Sequence, residues 1–424
     1  MLTAIVGINW GDEGKGRMVD LLSSEYDIVC RYQGGNNAGH TVINDSGKYI
    51  LNLLPSGILR ADVTNVMGNG MVIDLEHLNG EINKLRKSGI NITSDNLKIS
   101  NRAIICLPYN VQQDILEEER LKDKKFGSTR RGIAPVYGDK YLKKGIRMGD
   151  LLNKKSLQSK VKEIVQWKNL LIEGGYNSTA FKADDIYNWL VKFSEGIEDY
   201  ICDTGIFLEK AIKEGKKIMF EAQLGALRDI DFGIYPYTSS SSTIAAYAPI
   251  GSGIPGHKLT NTIGIMKAYS SCVGEGPFTC EMFGDEAEAL RKAGGEYGAA
   301  TGRPRRVGPF DIVASKFGVM VQGADVLALT KLDILSYLDK VPVVTGYKIN
   351  DKVIEYFPTG DYLDIATPVI EYVDGWKCDI SSCRKESDLP EKALAYVKYI
   401  EEKIGCKIKY VSVGAKREDY LIMK

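Results

Sequence analysis

The sequence predicts an α/β protein: a large, mainly parallel central sheet with helices on both faces and a helical insertion. Three observations carry this. Apolar runs of strand length alternate with helical patterns along the chain. The first run, Leu2 to Ile8, passes through a glycine-rich turn directly into a helical pattern from Arg17 to Leu22. Between about residues 111 and 216 the composition turns helical and charged, as expected of a block set on a sheet rather than a linker.

Each element has its own reason. Leu2 to Ile8 is continuously apolar, the pattern of a parallel strand covered on both faces. Ile28 to Tyr32, Asn65 to Met67, Ile218 to Phe220, Val326 to Leu329 and Val341 to Val344 repeat that pattern in shorter form. Asp74 is placed to cap a helix running through Leu85, and Asp388, with Pro390 in the first turn, to cap another through Lys403. Tyr347 to Phe357, with Asn350-Asp351 at its centre, is expected to form a hairpin. No repeat occurs, and Ser239 to Ser242 is the one low-complexity stretch. The expectation is a single domain spanning 1–424.

Composition excludes some classes. With 55 basic and 55 acidic residues the net charge is zero, which argues against nucleic acid or a membrane surface as partner. The N-terminus lacks a signal-peptide pattern and no apolar run approaches the ~20 residues of a membrane span. Eight cysteines are scattered, the closest pair being Cys378 and Cys383, so neither a zinc ribbon nor a redox motif is formed. Reduced thiols in a cytoplasmic protein are expected.

Five clusters interrupt the regular pattern, and loops of this kind carry function more often than regular elements do. The first runs from Asn9 to Arg17. Strand, glycine turn and helix aim backbone N–H groups and a positive dipole end at a phosphate, and Lys15 adds a mobile charge. Yet the standard G-x-x-x-x-G-K-[ST] pattern fails, with Asn9 in place of the first glycine and Gly16 in place of the magnesium-binding hydroxyl. The turn instead carries Asp12, which needs a magnesium ion or a proton to abstract. The second cluster, Gln33 to Thr41, offers amides and His40, a credible general acid beside a phosphate turn. His77, within a helix, and His257, in a Gly-Pro loop, are expected to be structural.

The third cluster, Gly127 to Pro135, supplies hydroxyls and guanidinium groups suited to a phosphate. The fourth, Gly298 to Arg306, sets three arginines within four residues, with carboxylates or phosphates as natural ligands. The fifth, Thr330-Lys331-Leu332-Asp333, ends a strand. A carboxylate there accepts from both N1–H and the 2-amino group of guanine, donors that adenine lacks.

In this order the clusters resemble the adenylosuccinate synthetase family, through GDEGKGR, QGGNNAGHT and TGRPRR, over essentially the whole chain. The fold so implied is related to phosphate-loop GTP-binding folds. The implied reaction, the first committed step of AMP synthesis, has GTP phosphorylate the 6-oxygen of IMP, after which L-aspartate displaces the phosphate. Asp12 would be the base that removes the N1 proton, with His40 and Lys15 as its catalytic partners. Magnesium would be held partly by Asp12 and the Gly39 carbonyl. IMP would meet Asp12, Glu13, Gly14, Lys15, Asn37, Ala38, Gly39, His40, Thr129, Gln223, Ser239, Arg303 and Lys143. Aspartate would meet Ala299, Ala300, Thr301, Gly302 and Arg303. GTP would meet Gly11, Glu13, Gly14, Lys15, Gly16, Arg17, Gly39, His40, Thr41 and Arg305 at its phosphates, with Lys331, Leu332, Asp333, Ser412, Val413 and Gly414 at guanine. The implied assembly is a homodimer with shared active sites, Lys143 reaching the partner's IMP.

The chain departs from the family at several points. Lys143 replaces an arginine, keeping charge without the fork. Gln223 stands one residue early in Glu221-Ala222-Gln223-Leu224-Gly225, and Phe232 and Cys272 replace a frequent His and Arg. Three rival functions share some features: a GTP-binding regulator without ligase turnover, a nucleotide kinase, and a phage-type relative acting on a guanine deoxynucleotide. The arginine loop counts against the first, the absent standard phosphate loop against the second, and Asp12 against the third.

Overall fold

The computed structural model describes all residues except 45, 46, 298–301 and 303. Its frame is a ten-stranded sheet. In spatial order the strands are Tyr420–Ile422, Ile408–Ser412, Val326–Thr330, Asn261–Lys267, Leu2–Gly7, Ile218–Gly225, Ile28–Arg31, Thr64–Met67, Leu97–Ser100 and Ile201–Cys202. Every neighbouring pair is parallel except the terminal one, Ile408–Ser412 with Tyr420–Ile422.

Leu2–Gly7 lies inside this sheet and all six of its residues are buried. Its side chains alternate between two cores, as a period of two requires. Leu2, Ala4 and Val6 join Cys30, Phe220 and Leu208 on one face, while Ile5 joins Met18, Val19, Val29 and Ile265 on the other. Leu208 comes from the helix Thr204–Lys213 and Met18 from the helix Lys15–Leu22, so both faces are covered.

The charged block folds into the helices Pro108–Leu121, Ile133–Tyr141, Lys154–Gly174, Ala183–Ser194 and Thr204–Lys213. It also supplies Ile201–Cys202 as an edge strand, too short and half-buried for an apolar run to mark it.

Two expectations need correction. Val341 to Val344 is a strand, but it belongs to Lys340–Ile349 in a separate four-stranded sheet beside Thr367–Asp374 and Lys352–Ile354. An apolar run shows burial; it does not show which sheet is joined. Asp388 does not cap the helix Glu391–Ile404, because its carboxylate accepts from Arg384 N and Lys385 N, both at 3.0 Å, and closes the turn before Pro390. The Asp74 cap forms at 3.0 Å to His77 N, and the hairpin turns at Asn350 and Asp351, both with positive φ as a tight turn of this kind requires.

The chain order reverses around Leu2–Gly7, whose neighbours are Ile218–Gly225 and Asn261–Lys267. Open parallel sheets bind ligands at the carboxyl ends of strands beside such a reversal. The opening turn, the Gln33 loop, the Lys331 segment and the Ser412 segment all follow strands at that edge.

Candidate active site

The opening turn is built on left-handed backbone at Gly11, Asp12 and Gly14. Its two acids take opposite positions. Glu13 is buried and folds inward, where Oε1 accepts from Asn9 N at 3.1 Å and Gly11 N at 2.7 Å. Its Oε2 accepts from Lys15 Nζ at 2.8 Å. The anion at the centre of this turn is therefore the chain's own carboxylate, which accounts for the departure from the standard phosphate loop. Asp12 points outward, 36% exposed, with Oδ2 at 2.7 Å from Arg305 Nη2. The helix Lys15–Leu22 has no side-chain cap at Gly14, so its first N–H groups and positive dipole end face the same space.

Gly16 brings the second cluster against this helix. A Cβ there would stand 2.6 Å from that of His40, so only glycine lets His40 pack so closely. His40 opens the strand His40–Asn44, and its Nδ1 pairs with Glu221. Glu221 is fully buried and also accepts from Ser56 N at 2.8 Å and Ser56 Oγ at 2.6 Å. Burial alone would push the Glu221 carboxyl up, but His40, Arg31 and Ser56 hold it below the usual carboxylate range. For His40, burial wins over the attraction of Glu221 and pulls its pKa down, with Arg31 and Lys15 adding to that. An anionic acceptor at Glu221 fixes the imidazole with its hydrogen on Nδ1, leaving Nε2 for a substrate.

Gln223 is fully buried. Its amide donates to Gly35 O at 2.9 Å and Ala38 O at 3.4 Å and accepts from Gly35 N at 3.1 Å. The strand bulges beside it, pairing Ile5 with Glu221 but Gly7 with Gly225, and Leu224 takes a left-handed φ. Gln223 thus serves the loop that carries Asn37, Ala38, Gly39 and His40. Asn36 reaches Asp74 at 2.8 Å, and Ser239 joins a hydroxyl chain through Ser241 to Gln33. Thr129 sits on an exposed loop pinned by Asp114 and Glu118.

At the other side, Asp333 Oδ1 is buried with no hydrogen-bond partner among the described residues. Burial raises its pKa, opposed by Arg17 and Lys331. Arg17 donates to Ser412 Oγ at 2.7 Å and to the carbonyls of Gly414, Lys416 and Asp419, tying the opening helix to the C-terminal loop. Leu332 and Val413 pack in the core, leaving only their backbone for a ligand. Lys331 Nζ donates to Gly294 O and to Glu296, both at 2.7 Å.

Ala299, Ala300, Thr301 and Arg303 lie outside the described residues. Gly302 has a left-handed φ. Arg305 bridges Asp12 and Glu296, and Arg306 pairs with Glu281. Lys143 is exposed beyond the helix Ile133–Tyr141, and its ammonium has no ion pair among the described residues. The roles of Glu221, Ser56, Arg31 and Glu296 were not legible in the sequence, since a buried side chain whose partners lie far along the chain carries no local pattern.

This constellation can be compared with known proteins. The family model described as adenylosuccinate synthetase matches residues 4–421. The chain belongs to the adenylosuccinate synthetase family. The adenylosuccinate synthetase of Caldanaerobacter subterraneus subsp. tengcongensis is 44% identical over 424 residues, covering 100% of this chain and 99% of the relative. That of Streptococcus gordonii is 42% identical over 421 residues, covering 99% and 97%. Among solved structures, fully ligated adenylosuccinate synthetase from Plasmodium falciparum superposes with a TM-score of 0.93 at 35% identity, covering 100% of this chain and 99% of that one. The cyanophage S-2L succinoaminodeoxyadenylate synthetase, bound to dGMP and dATP, matches with a TM-score of 0.59 at 18% identity, over 99% of this chain and 95% of that one, a likeness of fold alone. As an adenylosuccinate synthetase by family, the chain is a GTP-dependent ligase of purine biosynthesis. No helix among the described residues is long and apolar enough to cross a membrane.

Proposed function

We propose that the chain joins IMP to L-aspartate through a 6-phosphoryl intermediate, as a single cytoplasmic domain spanning 1–424, with Asp12 as the base. The observation that carries this is the contrast within the opening turn. Glu13 closes the turn from inside, which leaves Asp12 exposed at the mouth, ahead of the uncapped end of the helix against which His40 packs at Gly16. Asp12 removes the N1 proton of IMP, and electron density moves to O6. O6 attacks the γ-phosphorus of GTP, the β–γ bridge bond breaks, and GDP leaves. With the triphosphate bound, its negative charge favours the imidazolium, so His40 donates from Nε2 to the oxygens on which charge develops while Nδ1–H stays on Glu221, and Lys15 stabilises the same region. The amino group of aspartate then adds at C6, and the bond from C6 to the phosphorylated oxygen breaks. Phosphate therefore departs with the original O6.

Asn37, Ala38, Gly39, Thr129, Ser239 and Arg303 are assigned to IMP, with Gln223 supporting their loop. Thr301, Gly302 and Arg303 are assigned to aspartate, Thr41 and Arg305 to GTP phosphates, and Asp333 with Ser412 and Gly414 to guanine. The orphaned Asp333 oxygen fits a base that offers two donors.

The donors present also fit magnesium. No group of three or more His, Cys, Asp or Glu residues able to hold a metal exists among the described residues. Magnesium is commonly bound through one or two carboxylates plus phosphates and water, so Asp12 and the carbonyl of Gly39, an exposed residue, would hold it together with the phosphates of GTP. When bound, the ion would neutralise the charge of the GTP phosphates.

The route of the oxygen tests the mechanism. IMP labelled with ¹⁸O at position 6 is expected to deliver its label to inorganic phosphate with near-complete transfer. Label retained in the nucleotide would eliminate O6 phosphorylation.

Lys143 supports a shared site. It stands exposed beside Tyr141, 79% exposed, and Leu142, 60% exposed, an apolar projection suited to a second copy of the chain. A two-fold interface is reciprocal, so each chain lends its Lys143 and receives its partner's. Asp12→Ala and Lys143→Leu variants, each inactive or nearly so, are expected to complement when mixed under subunit exchange. A mixed dimer holds one site with both lesions and one with neither, so roughly a quarter of all sites recover at equal mixing. Verified exchange without recovery would confine Lys143 to its own chain.

A further inference from the structure

We propose that Glu296 is a positioning residue that holds the guanine segment and the catalytic carboxylate in one register. The proposal rests on the assignment of Asp12, Arg305 and Lys331 to the synthetase reaction. Glu296 follows the helix Gly284–Gly294 and is 0% exposed. Oε1 accepts from Lys267 Nζ at 2.8 Å, Lys331 Nζ at 2.7 Å and Tyr269 OH at 2.5 Å. Oε2 accepts from Arg305 Nη1 at 2.8 Å, and the Glu296 carbonyl accepts from Arg305 N at 2.9 Å.

These donors come from separate parts of the chain. Lys267 ends one central strand, Lys331 follows another, and Arg305 belongs to the arginine loop. Arg305 places its other terminal nitrogen on Asp12 at 2.7 Å. A continuous path of ion pairs thus runs from Lys331 through Glu296 and Arg305 to Asp12. A carboxylate offers about four lone-pair sites, and four side-chain donors occupy them here. Glu296 is 0% exposed and out of a substrate's reach, so its effect passes through the groups it holds.

The charges point the same way. Lys267, Lys331 and Arg305 contribute three positive charges against the two negative charges of Glu296 and Asp12. Asp333, whose carboxylate Lys331 also stabilises, completes the balance around this path. Without Glu296, three cations would share the space, and Lys331 and Arg305 would each lose the group that orients them. A buried carboxylate that served only the fold would need Lys267 and Tyr269 alone. The two further donors are those the reaction uses.

The test separates positioning from folding. Glu296→Gln preserves size but removes the charge, so its melting temperature is expected to fall. The KM values for GTP and for IMP are expected to rise together, each by about tenfold, from lost charge-assisted bonds to Lys331 and Arg305, which meet GTP and hold Asp12 at IMP. The double variant Glu296→Gln with Lys267→Met removes the surplus buried cation and is expected to recover melting temperature. Its KM values are expected to stay raised, because Lys331 and Arg305 remain unheld. If the single variant does not fold, the charge-balanced double variant carries the comparison alone. KM values within twofold of the parent, or KM values that recover together with melting temperature, would reduce Glu296 to a fold element and overturn the proposal. Failure of the underlying assignment is read separately. A parent enzyme without GTP cleavage dependent on IMP and aspartate would remove the reaction, whereas an active parent with unaffected variants would remove only the role of Glu296.

Discussion

Asp12→Asn is expected to lower turnover by about 10²–10⁴-fold, the range for losing a general base, with lost magnesium coordination adding to it. The fold should survive. Asn is nearly isosteric, and Asp12 is 36% exposed, so the ion pair with Arg305 is partly solvated and contributes at most about 1 kcal/mol to stability. The inward acid, Glu13, keeps its bonds to Asn9 N, Gly11 N and Lys15, so the turn itself remains closed. The check is aspartate-dependent phosphate release by a variant whose melting matches the parent. Activity within tenfold of the parent would take the base role away from Asp12.

Asp333→Asn is expected to weaken GTP by about 2–4 kcal/mol and to improve XTP. The loss combines an unpaired polar group with a missing charge-assisted pair. Guanine presents N1–H and a 2-amino group to the carboxylate, and Asp333 holds one buried oxygen with no partner among the described residues, as that role requires. Xanthine replaces the amine by a carbonyl, which an asparagine amide can meet as donor. Arg17 and its bonds to Ser412 and Gly414 are untouched by the substitution, so the pocket wall stays in place. Steady-state kinetics with GTP, XTP and ATP decide the matter. An unchanged preference for GTP would mean that guanine is read elsewhere.

Local patterns account for the parts of the fold and site that the sequence disclosed. Leu2 to Ile8 announced a doubly covered strand because burial on both faces removes alternation. Asp74 announced a helix because a capping side chain needs only its own neighbours. The glycine turn and TKLD are likewise contiguous, and each follows a strand at the edge where the site lies.

What remained hidden depends on contacts between distant residues. Glu221 sits within an apolar strand, and only the fold shows that His40, Ser56 and Arg31 surround it. Glu296 follows an ordinary helix, and its three cationic partners come from three other segments. Gln223 stands one residue early in its motif, and only the fold shows that its amide bonds Gly35 and Ala38 of the neighbouring loop. Val341 to Val344 revealed a buried strand without revealing its sheet, since apolar runs carry no record of pairing partners.

The most direct measurement is phosphate release from GTP by the purified chain, with IMP and L-aspartate supplied together or one at a time. Full release is expected only when both are present with magnesium, in a one-to-one ratio with adenylosuccinate formed. Sustained release without IMP, or GTP cleavage with both present but no adenylosuccinate, would contradict the ligase account.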